Sequence, residues 1–378
     1  MCVSGKNLAR HAARVGVAAL CAGVLLTACK HNNNSTITKG LWVANGTNVL
    51  EFTATQLNAA GVMDDAPHIA TTGNGTLGMP QGVTFDSAGN LWVQDPGAMV
   101  NGAATPALVK FSAAQVNAMA TTPNPTPEAV ITSASFAFPQ QSVFDKAGNQ
   151  WVTDHNNNTV LVFTAAQLAM TGTNELTPAV IITSATFNGP LGIVFDSAGD
   201  LWVANNGAVG GANGAAASPN GTTIVEFAAA HLPAVPTSGM LTPDLPADVT
   251  LSDDGNGSIQ QPWELQFDSG GNLWSSNSNT PFSLVQFAKA SLTANGAPTP
   301  MTTIAPITEM GDASLNATNG LCLDNLGDVA ATNSAGAFGI PFYKVPLKSG
   351  TITPSTFIVG ATTTLNAPAG CNFGPLVN

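Results

Sequence analysis

One fourteen-residue segment recurs along the chain, and this repeat constrains the possible folds more than any other feature. Each copy has two short runs of alternating character joined by D-x-x-G, whose glycine supplies the positive φ that a tight hairpin turn needs. The copies start 51 to 72 residues apart. They are GVTFDSAGNLWVQD (82–95), QSVFDKAGNQWVTD (141–154), GIVFDSAGDLWVAN (192–205), ELQFDSGGNLWSSN (264–277) and GLCLDNLGDVAATN (320–333). Each copy therefore predicts two antiparallel strands.

Two further strands follow in each unit. The predicted third strands are 108–111, 160–163, 224–227 and 284–287. A short helical turn comes next, because capping boxes of the form S/T-x-x-Q, such as Ser112 with Gln115, start there. The clearest predicted outer strands are 129–132 and 179–183. Units of this length with four strands favour a blade over a two-helix repeat.

The two ends of the chain complete each other. The segment GLWVANGTNVLEFTATQL (40–57) contains a second and a third strand but no first strand, whereas APAGCNFGP (367–375) is a first strand with nothing after it. Together they make a sixth unit, and their pairing closes a ring without an unpaired edge. We therefore expect an all-β fold over residues 40–378, namely a six-bladed β-propeller with four-stranded blades.

The pattern P-x-G-x-x-F-D-x-x-G-N-L-W-V-x-D/N across these units resembles the NHL-repeat group of six-bladed propellers. Its kin include gluconolactonase/regucalcin-like enzymes and streptogramin lyases. The resemblance covers residues 40–378 and implies the blade architecture. It does not imply an activity, because one fold supports many functions.

The first 28 residues differ from the rest of the chain. Lys6, Arg10 and Arg14 precede an apolar run at 15–28, which is shorter than the roughly 20 residues of a membrane-spanning helix. This pattern predicts a signal peptide, residues 1–28.

The sequence Leu26-Thr27-Ala28-Cys29 resembles the lipobox of bacterial lipoproteins. The resemblance implies lipidation of Cys29, a polar tether at 29–39, and anchoring to the cell envelope. Lys30 stands where an aspartate often retains such proteins in the inner membrane, so the outer membrane is favoured over the inner. Ordinary secretion after Ala28, without a lipid, is the alternative.

The charge of the processed chain limits its partners. Seven lysines, no arginine and 22 acidic residues remain, a net charge near −15. Without the bidentate arginine fork, phosphate recognition is disfavoured, so we expect no nucleic-acid partner. We expect a monomer that meets the membrane through its lipid and binds an unidentified peptide, glycan or small molecule.

Two cysteines, Cys322 and Cys371, lie in the predicted propeller. The repeat alignment places them in neighbouring inner strands but on opposite faces of the pleat. We therefore expect two small buried apolar side chains rather than a disulfide, although an exported protein permits one.

Most conspicuous side chains occupy repeat positions and are interpreted first as structural. The tryptophans that share one position are Trp42, Trp92, Trp151, Trp202 and Trp274. Packing between blades is favoured for them over a sugar-stacking platform. The residues that end the second strands are Asn45, Asp95, Asp154, Asn205, Asn277 and Asn333. Side-chain capping of the backbone is favoured for these over a ring of metal ligands.

Departures from the repeat indicate a site, because local rules tend to fail where a protein functions. Inner strands begin with glycine in most blades, but Gln141 and Glu264 replace it in two. Propeller topology places these departures around the channel mouth, the face where second strands end. The candidate ligand-binding residues there are Gln81, Gln140, Gln141, His155, Trp263, Glu264 and Asn319.

Glu264 has two interpretations, a metal ligand or general base, and a solvated carboxylate at the rim. The gluconolactonase-like metal site needs one Glu, one Asp and two Asn, of which Glu264 and Asn319 supply two. No metal site is assigned on this basis, although Ca²⁺ or Zn²⁺ at Glu264 is compatible with it. We predict no cofactor and assign no catalytic residue.

Two functions remain open. The first is a membrane-tethered extracytoplasmic binding module, and the second is a divalent-cation-dependent lactonase or lyase. Several carboxylates converging on the axis would favour the enzyme, whereas an amide-lined or apolar mouth would favour the binding module.

Overall fold

The computed structural model describes residues 39–207, 222–306, 315, 317–336 and 338–375. Six antiparallel sheets follow one another in a ring, and each begins at the axis with an inner strand that contacts the inner strands of both neighbouring sheets. The predicted all-β, six-bladed β-propeller is therefore confirmed. We number the blades 1 to 6 in chain order, with blade 6 the one that joins the two ends.

All six blades share one strand order. From blade 1 to blade 6, the inner strands are Gly82–Phe85, Pro139–Phe144, Pro190–Phe195, Pro262–Phe267, Thr318–Leu323 and Pro368–Gly374. In the same order, the second strands are Leu91–Asp95, Gln150–Asp154, Leu201–Asn205, Leu273–Asn277, Val329–Asn333 and Gly40–Asn45. The third strands are Ala107–Phe111, Thr159–Phe163, Thr223–Phe227, Ser283–Phe287, Gly339–Tyr343 and Asn48–Phe52. The outer strands are Ala129–Thr132, Val180–Ile182, Val249–Ser252, Thr302–Ala305, Thr356–Val359 and Ile69–Thr71.

Blade 6 closes the ring as predicted. Its inner strand, near the C-terminus, pairs antiparallel with the N-terminal strand Gly40–Asn45, and Val43 lies opposite Cys371. The ring is thus closed by hydrogen bonds between the two ends of the propeller.

The aspartate that begins each hairpin turn caps it. In blade 1 the Oδ1 atom of Asp86 accepts hydrogen bonds from the backbone N–H groups of Ala88 and Asn90, both at 3.0 Å. Gly89 has φ = 83°, a conformation that favours glycine. The same bonds recur at Asp145, Asp196 and Asp268. We call the side of the propeller that carries these turns the turn face.

The tryptophan row packs between blades, as the sequence predicted. Trp42 of blade 6 meets Phe85 on the inner strand of blade 1 edge to face, with ring centroids 5.7 Å apart. The pairs Trp92–Phe144, Trp151–Phe195 and Trp202–Phe267 repeat this contact at 5.4 to 6.1 Å. Such pairs add about 1 kcal/mol each beyond the burial of their area.

The connection after each third strand reaches back to the outer strand of the preceding blade. It begins with the predicted capping boxes in the helices Ala54–Asn58, Ala113–Ala118 and Ala165–Leu168, and with the 3₁₀ turn Lys289–Ser291 in blade 4. A second 3₁₀ turn, Ala361–Thr363, precedes the last inner strand. In three places the connection adds a parallel fifth strand to the four strands that the preceding blade has of its own. The added strands are Gly61–Met63, Gly172–Glu175 and Gly350–Thr351. This arrangement covers outer edges that would otherwise be open for pairing.

The expectation for the two cysteines was wrong, because Cys322 and Cys371 form a disulfide with Cα atoms 6.0 Å apart. The alignment did place them on opposite faces of the pleat. However, they belong to neighbouring blades, whose sheets face one another. Side chains on opposite faces therefore point toward each other across the interface, and the rule for one sheet does not apply.

The remaining elements are minor. Met99–Val100 and Ala103–Ala104 form a small separate hairpin. Within the described residues, no helix is long and apolar enough to cross a bilayer. The predicted signal peptide, Cys29 and most of the tether lie outside the described residues.

Candidate functional site

The structure places the predicted site residues near the channel mouth, but most of them are buried. Gln140, Gln141, His155 and Trp263 are each 5 to 7 % exposed, while Gln81 and Asn319 are half-buried. Few of these side chains are therefore presented to solvent on this face.

Apolar side chains cover part of the mouth. Trp263, Leu191 and Ala369 occupy the same repeat position in blades 4, 3 and 6, and all three belong to one buried apolar cluster. The tryptophan outside the common row thus packs with its counterparts from other blades.

A row of hydroxyls joins neighbouring inner strands below the mouth. In blade 2 the Oγ1 atom of Thr153 accepts from the N–H of Gln141 at 3.2 Å and donates to the carbonyl of Leu191 in blade 3 at 2.6 Å. Ser276 and Thr332 make the corresponding bonds in blades 4 and 5. The sequence interpretation missed this row, although a hydroxyl one residue before the end of the second strand was its visible signal.

The residues that end the second strands cap the loops that lead into their own inner strands. Asp95 accepts hydrogen bonds from the N–H groups of Gly78, Met79 and Gly97 at 2.8 to 2.9 Å. Burial raises the pKa of Asp95 in spite of these bonds. Asp154, Asn205 and Asn277 receive comparable bonds, so these side chains act as caps, as predicted, and not as a ring of ligands.

His155 is buried at the mouth away from Glu264. Its Nδ1 atom lies 3.0 Å from Oδ1 of Asn156, and its ring packs against the backbone of Gly189. Burial lowers the pKa of this imidazole. The buried ring thus lies at the contact between blades 2 and 3.

Glu264 reaches the channel wall at a position where four of the other five blades carry glycine. A Cβ atom added at Gly320 would lie 3.1 Å from Oε2 of Glu264 and 2.5 Å from the carbonyl of Ala369, which explains why glycine is needed there. The same Oε2 accepts from the N–H of Leu321 in blade 5 at 2.9 Å. Gln266, two residues further along the same strand, accepts from the N–H of Leu323 at 2.6 Å. Both side chains satisfy N–H groups on the free edge of the neighbouring inner strand.

Burial dominates the electrostatics of Glu264. Loss of solvent raises the pKa of its carboxyl to about 8, against the opposing effect of the N–H groups of Leu321 and Cys371. The carboxyl is therefore mostly protonated at neutral pH, and it then offers a hydrogen-bond donor as well as acceptors.

A cavity of about 170 Å³ lies in the channel beside Glu264. Its polar lining residues are Thr84, Gln141, Ser142, Glu264, Gln266 and Asn372. Toward the turn face the lining residues Val143, Val194, Gln266 and Asn372 are half-buried, whereas Glu264 and Gln141 are buried. Solvent therefore approaches this cavity from the turn face, opposite to the mouth that the sequence indicated. The sequence analysis did not select Gln266, Thr84 or Asn372, because they do not stand at the positions where departures from the repeat were compared.

The donors around Glu264 do not form the gluconolactonase-like set of ligands, which the sequence analysis left unassigned. Among the described residues, Glu264 forms a group with Cys322 and Cys371 in which the carboxylate oxygen and the two sulfurs all lie within 4.8 Å of one another. These sulfurs are joined in a disulfide and offer no thiolate. Asn319 does not line the cavity, and no aspartate of the described chain does. The set of one Glu, one Asp and two Asn is therefore not assembled at this position.

Comparison with solved structures gives the same architecture. The chain is similar to the periplasmic gluconolactonase PpgL of Pseudomonas aeruginosa, at 13 % identity over 90 % of this chain and 99 % of that one, with a TM-score of 0.54. It is similar to a chain of a nidogen/laminin complex at 12 % identity, with 89 % and 98 % covered and a TM-score of 0.51. Streptogramin B lyase follows at 15 % identity, with 78 % and 87 % covered and a TM-score of 0.44.

These identities show the fold alone. No protein-family model matches the sequence, and neither does any curated protein. The class is thus a six-bladed β-propeller, and its function has to be argued from its own side chains.

Proposed function

We propose that this protein is an extracytoplasmic binding propeller, tethered to the cell envelope through Cys29, that takes a small uncharged polar solute into its axial cavity. The observation that carries the proposal is Glu264, a carboxyl only 9 % exposed that lines a cavity with amide and hydroxyl groups and has no counter-charge among the described residues. Such a lining suits hydroxyl and carbonyl groups, which exchange hydrogen bonds with it in both directions.

The dimensions of the cavity limit the solute. A volume of about 170 Å³ corresponds to the liquid volume of about five or six waters. A polyol or a single sugar-like ring of neutral charge is the size class that fits. The neighbouring disulfide supports export, because such bonds persist in oxidising compartments.

The enzyme alternative is supported by the resemblance of the repeats, but the side chains favour it less. The mouth is apolar and amide-lined, and Glu264 is the single carboxylate among the described residues of the axial cavity. A cation-dependent lactonase or lyase would need further oxygen ligands beside it.

Thermal unfolding with named probes separates the two functions. We expect D-glucose, D-glucono-1,5-lactone or erythritol to raise the melting temperature of the parent protein, because a ligand of the folded state stabilises it. Glu264→Gln retains hydrogen-bonding capacity, so the shift should persist in that variant, whereas Glu264→Leu should abolish it. Exposed Glu175→Gln is the matched control for lost charge.

A second series with Ca²⁺, Zn²⁺, Mn²⁺ or EDTA decides the alternative. If a cation raises the melting temperature of the parent and Glu264→Gln removes the effect, the metal-dependent enzyme is correct and the binding proposal is wrong. No response to any of the three solutes would also contradict the binding proposal.

A further inference from the structure

A second cavity, of about 380 Å³, lies between blades 3 and 4 on the turn face, away from the axis. Its walls combine acidic and apolar side chains. They include Asp196, Asp200, Trp202, Glu226, Val249, Phe267, Asp268, Lys289 and Leu292. Neither the repeat pattern nor the axial site accounts for this combination.

Glu226 is the most deeply buried acid of this cavity. It pairs with Trp202 in the register of the second and third strands of blade 3. Its side chain is only 6 % exposed, yet it makes no hydrogen bond or ion pair with any described residue. Burial, followed by the charges of Asp200, Asp248 and Asp196, raises the pKa of Glu226 to about 7.

Blades 1 and 4 carry a polar residue at the same position that is paired within the chain. In blade 1 it is Lys110, which lies opposite Trp92. The Nζ atom of Lys110 is 2.8 Å from Glu128 and 5.5 Å from the centroid of the Trp92 ring. In blade 4 it is Gln286, whose Nε2 donates to Asp268 at 2.7 Å. Blade 1 therefore shows that an ammonium group fits against the tryptophan at this position.

A second substitution in blade 3 removes another donor. Asn90, Asn149 and Asn272 each donate from Nδ2 to the turn aspartate of their own blade, but Asp200 stands at this position in blade 3. An ionised aspartate only accepts, so Asp196 and Asp200 are left as two acidic neighbours.

The indole of Trp202 also lacks its usual partner. Trp92 and Trp151 donate from Nε1 to Asp86 and Asp145 at 3.0 and 3.1 Å. Trp202 is 3 % exposed, and within the described part of the chain its Nε1 has no acceptor. A buried polar group without a partner is uncommon in native structures. Because Trp202 does not donate to Asp196, the carboxylate of Asp196 lacks the indole donor that Asp86 and Asp145 have.

We propose that the cavity between blades 3 and 4 binds an organic ammonium ion, whose charge is balanced by Glu226, Asp196 and Asp200 and whose alkyl groups pack on Trp202. Attraction between a cation and an indole face adds to the ion pairs. The apolar wall of Phe267 and Leu292 suits the alkyl groups. This site is separate from the axial cavity and does not depend on the proposed function.

An organic cation is favoured over a bare metal ion by geometry. Among the described residues, one group of three metal-ligating side chains has its donor atoms within 4.8 Å of one another, and it lies at Glu264, not in this cavity. The carboxylates of the blade 3 cavity are thus spread over a volume that a larger ion fills.

Isothermal titration calorimetry at low ionic strength and pH 8 tests the proposal on the purified protein. The probes are tetramethylammonium and n-butylammonium, with 3,3-dimethylbutan-1-ol as a neutral molecule of similar shape. Saturable binding of at least one ammonium ion, and none of the alcohol, is expected. Glu226→Gln should weaken binding at least tenfold and Asp200→Asn severalfold.

Both variants restore residue types that other blades carry at these positions, Gln286 and Asn272, so the fold is expected to persist. Exposed Glu175→Gln, with the same loss of charge, should change the affinity less than twofold. Three results overturn the proposal: no ammonium binding up to about 10 mM, equal binding by Glu226→Gln, or Ca²⁺ binding that depends on Glu226 and excludes the ammonium ions.

Discussion

Glu264 at the axis and Glu226 between blades 3 and 4 are two buried glutamates with raised pKa values, about 8 and about 7, in opposite surroundings. At the axis the carboxyl holds the N–H of Leu321 and has no other acid among the described cavity residues. Between the blades the carboxylate has no hydrogen bond within the described chain and three aspartates act on it.

The difference shows that a raised pKa does not by itself define a function. Glu264 is stabilised as a neutral acid, because its proton removes the cost of burying a charge. Glu226 keeps access to a larger cavity in which added negative charge is unfavourable and a cation is favourable. The first residue suits the recognition of uncharged solutes and the second the recognition of cations.

The largest change is expected at the axis, where the disulfide joins blade 5 to the strand that closes the ring. Cys322 and Cys371 are 49 residues apart in sequence, and cross-linking a loop of this length stabilises a protein by about 4 kcal/mol in the chain-entropy model. Replacing both by serine should lower the free energy of unfolding in urea by about this amount. Ammonium binding at Glu226 should persist at urea concentrations below the unfolding transition. If the free energy of unfolding falls by less than about 1 kcal/mol, strand pairing alone closes the ring.

The architecture was predictable because each blade repeats local signals of its own. The turn aspartate with its glycine, the capping boxes and the split sixth blade depend on residues close in sequence. The disulfide was not predicted, since its geometry depends on how two different sheets face each other. The fifth strands come from loops with weak strand patterns, such as Gly172–Glu175, which pair only because a neighbouring blade is present.

A smaller effect is expected in the pH dependence of folding stability, in which the two glutamates differ. The pKa of Glu264 is 4.5 in its ordinary state and about 8 when folded, so the folded state holds a proton that the unfolded state has lost. Stability therefore falls as pH rises from about 4.5 to about 8. Between pH 7 and 9 the free energy of unfolding of the parent should fall by about 1 kcal/mol more than that of Glu264→Gln. Urea titrations at pH 7 and pH 9 measure this difference. If the free energy of unfolding falls equally in the parent and in Glu264→Gln, Glu264 is already ionised at neutral pH.

The two sites were less predictable than the fold, because each depends on hydrogen-bond or charge partners that the surrounding residues do not supply. Glu264 was found since it replaces a repeat glycine, but the sequence did not show that Trp263 covers the mouth or that Gln266 and Asn372 line the cavity. Glu226 was not singled out, because its position has no shared residue type. The other blades carry Glu51, Lys110, Val162, Gln286 and Phe342 there. Glu226 is recognised by comparison with Lys110 and Gln286, which occupy the same position in other blades. This comparison needs the strand register.

The smallest expected effect is at Glu226. Losing a favourable interaction would destabilise the protein, but substitution of Glu226 should stabilise it. Glu226→Gln should stabilise the protein by about 0.5 kcal/mol at pH 8 and low salt, a value discounted from the pKa shift for solvent screening. The charged groups that act on Glu226 are Asp200, Asp248, Asp196 and His231, and Asp268 and Lys289 line the same cavity. Because its folded pKa is raised from 4.5 to about 7, the gain should shrink as the pH falls below 7 and disappear below about pH 4, where both states hold the proton.

Salt should reduce this gain, since about 0.5 M NaCl shortens the screening length to a few ångströms, whereas the effect of Glu264→Gln should change little because Glu264 is buried away from other charges. Saturating tetramethylammonium should reverse the order of stability and make the parent more stable than Glu226→Gln. A variant that is destabilised at pH 8 without ligand would show that Glu226 is already balanced, and the contrast between the two glutamates would then be wrong.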